Sequence, residues 1–343
     1  MPFGIFYILA VAIRNWLYDR KILKSIEFEV PVISVGNLRV GGSGKSPMVE
    51  YLVRLLCTNH KVCILSRGYK RNSSGFRMAS SVDTPESLGD ESFQFYRKFG
   101  SRAGVAVGED RMMAIPEILA LTGEPAVIIL DDAFQHRQVK PALNILLTSW
   151  QYLFYKDHIM PYGMLREPGK NAARADCVVV TKCPADITSR AMDQTREKLA
   201  CYAPAKEIFF STIEYGEPVA FSGNRQKISR NLVLVTGIAD PSPLEEYVKK
   251  NFTLCRHLRY EDHHDYTIHD ARMIRNVSRT AGLDDVSMLV TEKDMVKLSA
   301  DRFKSMFDNL PMFYIPIVFK FVEDGRKFDG RILTMIEKFN LNS

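Results

Sequence analysis

A glycine-rich turn between an apolar segment and a helical pattern constrains this chain more than any other feature. Val40-Gly41-Gly42-Ser43-Gly44-Lys45-Ser46 follows the apolar run at 27–37 and precedes PMVEYLVRLLCTN at 47–59, which has helical periodicity. Glycines let backbone N–H groups close on phosphate oxygens without a Cβ in the way. The helix N-terminus beyond them adds partial positive charge. The segment reads as a P-loop in which Val40 to Pro47 would cradle a nucleotide. Lys45 would reach the β- and γ-phosphates, and Ser46 would meet Mg²⁺ through its hydroxyl. One position departs from the general pattern: where a first glycine is expected, the chain has Arg39.

The surrounding chain supplies the scaffold that such a loop needs. Strand-like apolar runs at 27–37, 61–69, 126–132, 143–149 and 176–182 alternate with helical patterns at 47–59, 90–100 and 109–121, the last disturbed by Pro116. Continuous apolar strands alternating with helices predict a mostly parallel α/β sheet covered on both faces, as in P-loop NTPases. A second alternating set follows: 231–237, about 243–251, about 268–281, 286–292 and 312–322. The expected organisation is an apolar N-terminal helix over 1–24, a P-loop domain over 25–206 and a second, smaller α/β subdomain over 207–343. The linker is expected at about 207–225.

Composition narrows the function classes. The 343 residues include 46 Lys plus Arg against 40 Asp plus Glu, a net charge of +6, with 46% hydrophobic residues. That is globular and not disordered. No apolar run approaches the roughly 20 residues that span a bilayer. The N-terminus is nevertheless unusual. Ile5 to Ile13 is unbroken apolar sequence, followed by Arg14, Trp16, Tyr18, Arg20, Lys21 and Lys24. A secretory signal would carry its cations before the apolar core. Aromatics and cations after it suit a helix lying in a membrane interface, or a helix packed on the protein's own core. The six cysteines form no C-x-x-C pair, which fits a reducing compartment better than a disulfide framework. No basic patch interleaved with aromatics and no zinc spacing points to nucleic acid.

A second acidic element supports phosphate chemistry. The strand at 126–130 ends in Asp131-Asp132, and a carboxylate at a strand's end meets Mg²⁺ beside the loop in P-loop proteins. Further polar clusters are Ser66-Arg67-Gly68-Tyr69, Gly89-Asp90-Glu91, Asp131-Asp132-Ala133-Phe134-Gln135-His136, Leu165-Arg166-Glu167-Pro168, Asp262-His263-His264 and Thr291-Glu292-Lys293-Asp294. Taken in order with VISVGNLRVGGSGKSP at 32–47, they resemble the tetraacyldisaccharide 4′-kinase family, from the N-terminal helix to about Lys297. The family's loop is itself non-standard, which accounts for Arg39.

The resemblance implies a P-loop kinase of two α/β/α subdomains with a cleft between them. It implies ATP and Mg²⁺, and transfer of the γ-phosphoryl to the 4′-hydroxyl of a tetraacylated glucosamine disaccharide 1-phosphate in lipid A biosynthesis. It also implies association with the cytoplasmic face of the bacterial inner membrane. Asp90 matches the family's catalytic aspartate and His263 its histidine partner, with the adjacent His264 as the alternative. Read from residues alone, Asp90 is also a good N-cap for the helix near Glu91. Asp131, Asp132 and Ser46 are expected at Mg²⁺, with Glu91 and Glu167 as further acidic contributors. Arg67, Arg111 and Arg166 are expected on phosphates, and Gln135 and His136 face the same crevice. Two other readings stay open. A GTPase-type switch is suggested by Val180-Thr181-Lys182-Cys183-Pro184, although Pro184 stands where a guanine-reading carboxylate belongs. An ATP-dependent membrane adaptor would leave Asp90 and Asp262-His263 without chemical duty.

Overall fold

The structure is a computed structural model that describes residues 2–123, 127–221, 227–262, 264–280, 286–307 and 310–342. Helix α1 (Pro2–Asp19) comes first. The run at 27–37 enters the sheet only as β1 (Val32–Asn37), after Pro31, which has no N–H to give a ladder. There follow α2 (Lys45–Leu56), β2 (Val62–Ser66), β3 (Arg77–Met78), α3 (Pro85–Leu88), α4 (Asp90–Phe99), β4 (Gly104–Val107) and α5 (Arg111–Thr122). Helix α5 continues through Pro116, and Asp110 caps it by accepting from the N–H groups of Met112 and Met113. Then come β5 (Val127–Asp131), β6 (Leu143–Ser149), β7 (Cys177–Thr181), α6 (Ser189–Ala200) and β8 (Glu207–Tyr215).

The second set is β9 (Val219–Ala220), β10 (Asn231–Thr236), α7 (Ser242–Asn251), β11 (Thr253–Arg259), α8 (Ile268–Thr280), β12 (Val286–Thr291), α9 (Glu292–Leu298), α10 (Asp301–Phe307) and β13 (Met312–Ile315). The chain closes with β14 (Ile317–Phe321) and α11 (Gly325–Asn342). A nine-stranded sheet runs β14-β8-β7-β6-β1-β5-β2-β4-β3, and a five-stranded sheet runs β11-β10-β12-β13-β9. Pairing is parallel except at β14–β8, β3–β4 and β13–β9.

Alternate residues of the large sheet feed cores on its two faces, as the parallel α/β pattern requires. In β5, Val127 and Ile129 pack with Met48, Leu52 and Phe95 under α2 and α4, while Ile128 and Leu130 pack with Ile115 and Ile118 of α5. In the small sheet, Val233 and Val235 face α8, while Leu232 and Leu234 face α7.

The two sheets do not divide the chain at residue 206. The run at 312–322 breaks at Pro316: Met312–Ile315 joins the small sheet, whereas Ile317–Phe321 pairs antiparallel with β8 in the large one. Beside it the chain crosses the other way from β8 to β9, with Gly216 N–H donating to Pro316 O at 2.9 Å. Residues 317–342 return to the first core, where Phe328, Ile332 and Ile336 are buried and Tyr51 donates to Asp329 at 2.6 Å. All six cysteines are free thiols.

Candidate active site

The P-loop forms without a glycine at 39 because that side chain leaves the loop. Arg39 Nε pairs with Asp157 Oδ2 at 2.9 Å, and its guanidinium lies 4.2 Å over the Tyr152 ring. Val40 N–H donates to Met164 O at 2.8 Å and Arg166 N–H to Leu38 O at 2.7 Å, tying the loop to the 164–166 segment. The left-handed positions are Gly41 (φ 111) and Gly44 (φ 82), the latter capping α2. Thr181 at the end of β7 supports the loop by donating to Ser43 O at 2.8 Å. A Cβ on Gly44 would stand 3.3 Å from that Thr181 side chain.

Beyond the carboxyl ends of the strands, where open α/β sheets collect ligands, the charged groups meet. Lys45 Nζ is 3.5 Å from Asp132 Oδ1 and donates to Asn37 Oδ1 at 3.4 Å. Ser46 donates to Glu91 Oε1 at 3.1 Å, and that oxygen also accepts from Lys293 Nζ at 2.6 Å. The Lys293 ammonium holds the Glu91 carboxyl well below the carboxylate range, at about 2. Asp131 is buried at the end of β5 and accepts from Ser66 Oγ at 3.1 Å, but its Oδ1 has no partner. Burial, with Glu91 and Asp132 close by, pushes its carboxyl up to about 7. Asp132 (φ 50) turns toward Arg166, whose Nη1 donates to it at 2.8 Å. Burial opposes charge on Asp132 too, but Lys45 and Arg166 outweigh it and hold the carboxyl down.

An orphaned acceptor on Asp131 beside Glu91, Asp132 and the Ser46 hydroxyl is a hard-oxygen donor set that fits Mg²⁺. Among the described residues no three His, Cys, Asp or Glu side chains form a ready cage.

Two expected residues stand elsewhere. Glu167 is buried and saturated. Its Oε2 accepts from Asn15 (3.0 Å), Asn171 (2.6 Å) and Arg174 (2.9 Å), and its Oε1 from Gln135 (3.1 Å) and Arg174 (2.8 Å). A carboxylate offers about four lone-pair sites, so the metal role expected for Glu167 is corrected: it anchors α1 and the Gln135 turn. Arg111 is only 1% exposed. It donates to Gly108 O and Glu109 O at 3.2 Å and to Asp131 O at 3.4 Å, and burial pulls its pKa down to about 10. Its Nη1 and Nη2 meet carbonyls beneath the strand end while its buried Nε has no partner, so in this conformation the guanidinium is a buried group and not one presented to the crevice opening.

Arg166 reaches Gln135 Oε1 at 3.3 Å, and Gln135 donates to Asn37 O at 2.9 Å. Burial and the charges of Arg111 and Arg67 push the His136 imidazole down to about 4, so it is neutral at pH 7. Arg67 is exposed at the end of β2.

Asp90 is in the first turn of α4; the cap position itself is Gly89 (φ 83). Its Oδ2 pairs with Lys297 Nζ at 2.8 Å. His263 lies outside the described residues. His264 is engaged locally: Nε2 meets Oδ2 of Asp270, in the first turn of α8, at 3.1 Å, and the ring stacks on Tyr260 at 4.7 Å. Lys293 and Lys297 on α9 were given no role by the sequence reading. A signal for Lys293 was present, because Thr291-Glu292-Lys293-Asp294 sits at a strand end as Ser43-Gly44-Lys45-Ser46 follows β1.

Known proteins resemble the chain over nearly its whole length. A family model described as Tetraacyldisaccharide-1-P 4′-kinase matches residues 1–337. A tetraacyldisaccharide 4′-kinase of Flavobacterium psychrophilum is 42% identical over 99% of this chain and 97% of its own length. That of Phocaeicola vulgatus is 38% identical over 100% and 96%. The solved structure of LpxK from Aquifex aeolicus in complex with ATP is 29% identical, covers 98% of each chain and gives a TM-score of 0.75. With the P-loop, the paired strand-end aspartates and this whole-length similarity in place, the chain belongs to the tetraacyldisaccharide-1-phosphate 4′-kinase family.

Proposed function

We propose that this chain transfers the γ-phosphoryl group of ATP to the 4′-hydroxyl of a tetraacylated glucosamine disaccharide 1-phosphate. The observation that carries the proposal is the meeting of Glu91 on α4 with the P-loop: Ser46 bonds to Glu91 Oε1 at 3.1 Å, and Asp90 is the residue before it in the first turn of the same helix. Phosphoryl transfer asks mainly for alignment and charge neutralisation, with proton removal late. The backbone of Val40 to Ser46 would hold the phosphates, with Pro47 fixing the first turn of α2. Lys45 would lie along the β- and γ-oxygens. Asp131, Asp132, Glu91 and Ser46 would hold Mg²⁺, which when bound neutralises charge on those same oxygens. As the hydroxyl oxygen bonds to the γ-phosphorus and ADP leaves, Asp90 accepts the hydroxyl proton, with His263 as its partner. Engagement of His264 by Asp270 and Tyr260 supports His263 over His264. Arg67, Arg166, Gln135 and neutral His136 would orient the disaccharide and its phosphate. The test is incubation with ATP, Mg²⁺ and the lipid, followed by mass spectrometry. One added phosphate on the lipid is expected, and ATP hydrolysis with no lipid product would sink the proposal.

The acyl chains demand an apolar approach, and α1 supports one. It packs inward through Gly4 and Asn15, with Tyr7 donating to Arg166 O at 2.8 Å. Ile5, Phe6, Leu9, Ile13 and Trp16 form an outward stripe, with Phe6 67% exposed. Arg14, Arg20, Lys21 and Lys24 lie at its end. Among the described residues no helix is long and apolar enough to cross a membrane. The stripe is therefore read as interfacial, on the cytoplasmic face of the inner membrane, where cations meet anionic lipid. Charging the stripe (Phe6→Glu with Leu9→Glu) should shift the protein from anionic vesicles into the supernatant in a sedimentation assay. Unchanged partition would reject that surface.

A further inference from the structure

We propose that Lys297 is a positioning residue for Asp90, fixing one carboxylate oxygen and the loop that carries Asp262 and His264 in a set relation. The inference rests on Asp90 being the base. Lys297 Nζ is 2.8 Å from Asp90 Oδ2 and donates to His264 O at 2.8 Å. One ammonium thus joins the start of α4, which packs on the large sheet, to the His264 carbonyl in the segment between β11 and α8 of the small-sheet unit. The Lys297 side chain is only 11% exposed, so solvent competes weakly for these bonds.

The geometry is held independently of Lys297. Thr291 caps α9 by accepting from Asp294 N–H at 3.1 Å. Asp294 accepts from Gly237 N–H (3.0 Å) and from Tyr266 OH (2.9 Å). Across to α4, Lys98 pairs with Glu292 at 2.7 Å and Arg97 donates to Ser299 at 2.7 Å. Helix α9 therefore stays docked if Lys297 is shortened. Lys293 and Lys297 are one turn apart on the same face, and they engage the consecutive acids Glu91 and Asp90. The two contacts differ in kind: Glu91 also binds the P-loop Ser46, whereas the Lys297 contact ties Asp90 to the His264 carbonyl.

An ammonium on a general base lowers its basicity, which by itself would slow the reaction. In phosphoryl transfer the proton moves late, so basicity weighs less than alignment of the hydroxyl. On that balance the orienting effect prevails.

The test is steady-state kinetics of the full chain with ATP, Mg²⁺ and the lipid acceptor. Lys297→Met should lower kcat by about 10- to 100-fold, as small misplacements of reacting groups do. The KM for ATP and the Tm should stay near wild type. Lys297→Arg, which can still donate to both acceptors, should recover most of kcat. In an Asp90→Asn background, Lys297→Met should cost no more than about twofold, because the two residues then act as one unit. Full kcat in Lys297→Met would overturn the inference, and so would a loss that multiplies with Asp90→Asn. A parallel fall in Tm and ATP affinity would reduce Lys297 to a structural tie. Normal turnover in Asp90→Asn alone removes the base assignment, and this inference with it.

Discussion

Asp90→Asn should lower kcat by about 10²- to 10⁴-fold, the range expected when a positioned general base is lost. Asparagine keeps the size of the side chain but cannot accept the hydroxyl proton. The P-loop is untouched, since Ser46 bonds to Glu91 and Lys45 lies on Asp132 and Asn37. Nucleotide binding should therefore persist, and a single-turnover experiment at saturating ATP will separate the two steps. The substitution also removes a charge from the pair with Lys297 at 2.8 Å. A fall in thermal stability is to be measured alongside, so that lost folding is not read as lost chemistry. Retained turnover would leave proton removal to solvent or to another group.

The central sheet was legible because its signal is local. Segments such as 143–149 and 176–182 carry continuous apolar centres, Ile145 to Leu147 and Cys177 to Val180, and strands buried on both faces need no other mark. The run at 312–322 misled for the same reason. It looks like one strand, but Pro316 divides it between two sheets, and hydropathy does not record which sheet a strand joins. The return of α11 to the first core was invisible too. Phe328, Ile332 and Ile336 mark a buried helical stripe, yet nothing in their spacing says that the partner is a β-sheet more than a hundred residues upstream.

The site divides along a similar line. Lys45, Ser46, Asp131 and Asp132 lie at strand ends, where motif and topology together assign them a place. Glu167 and Arg111 were misplaced because a charged residue in a polar cluster gives the same sequence signal whether it faces a ligand or a buried partner. Only the five donors around Glu167, and the carbonyls around Arg111, tell the two cases apart. Lys293 and Lys297 were missed because their partners are about two hundred residues away in sequence. The crossing of the chain between sheets brings them together.

Lys45→Met should be as damaging as loss of Asp90, but by a different route. Its ammonium stands between Asp132 Oδ1 (3.5 Å) and Asn37 Oδ1 (3.4 Å), waiting where phosphate charge would arrive. Removing a preorganised charge from a site of this kind costs about 10²- to 10³-fold in kcat. Here the ground state suffers as well, since the same ammonium would bind the nucleotide, so KM for ATP should rise alongside the fall in kcat. Asp132 would then keep only Arg166 against the burial that opposes its charge. Part of the loss is therefore an Asp132 held less firmly ionised. Lys45→Arg should rescue little, because the side chain is only 13% exposed and a planar fork is bulkier than a point charge in that space. Isothermal titration with ATP, together with kcat at saturating nucleotide, reads both effects. A variant that binds ATP normally and turns over normally would remove Lys45 from the phosphate cradle, and with it the physical basis for reading the loop at 40–47 as a P-loop.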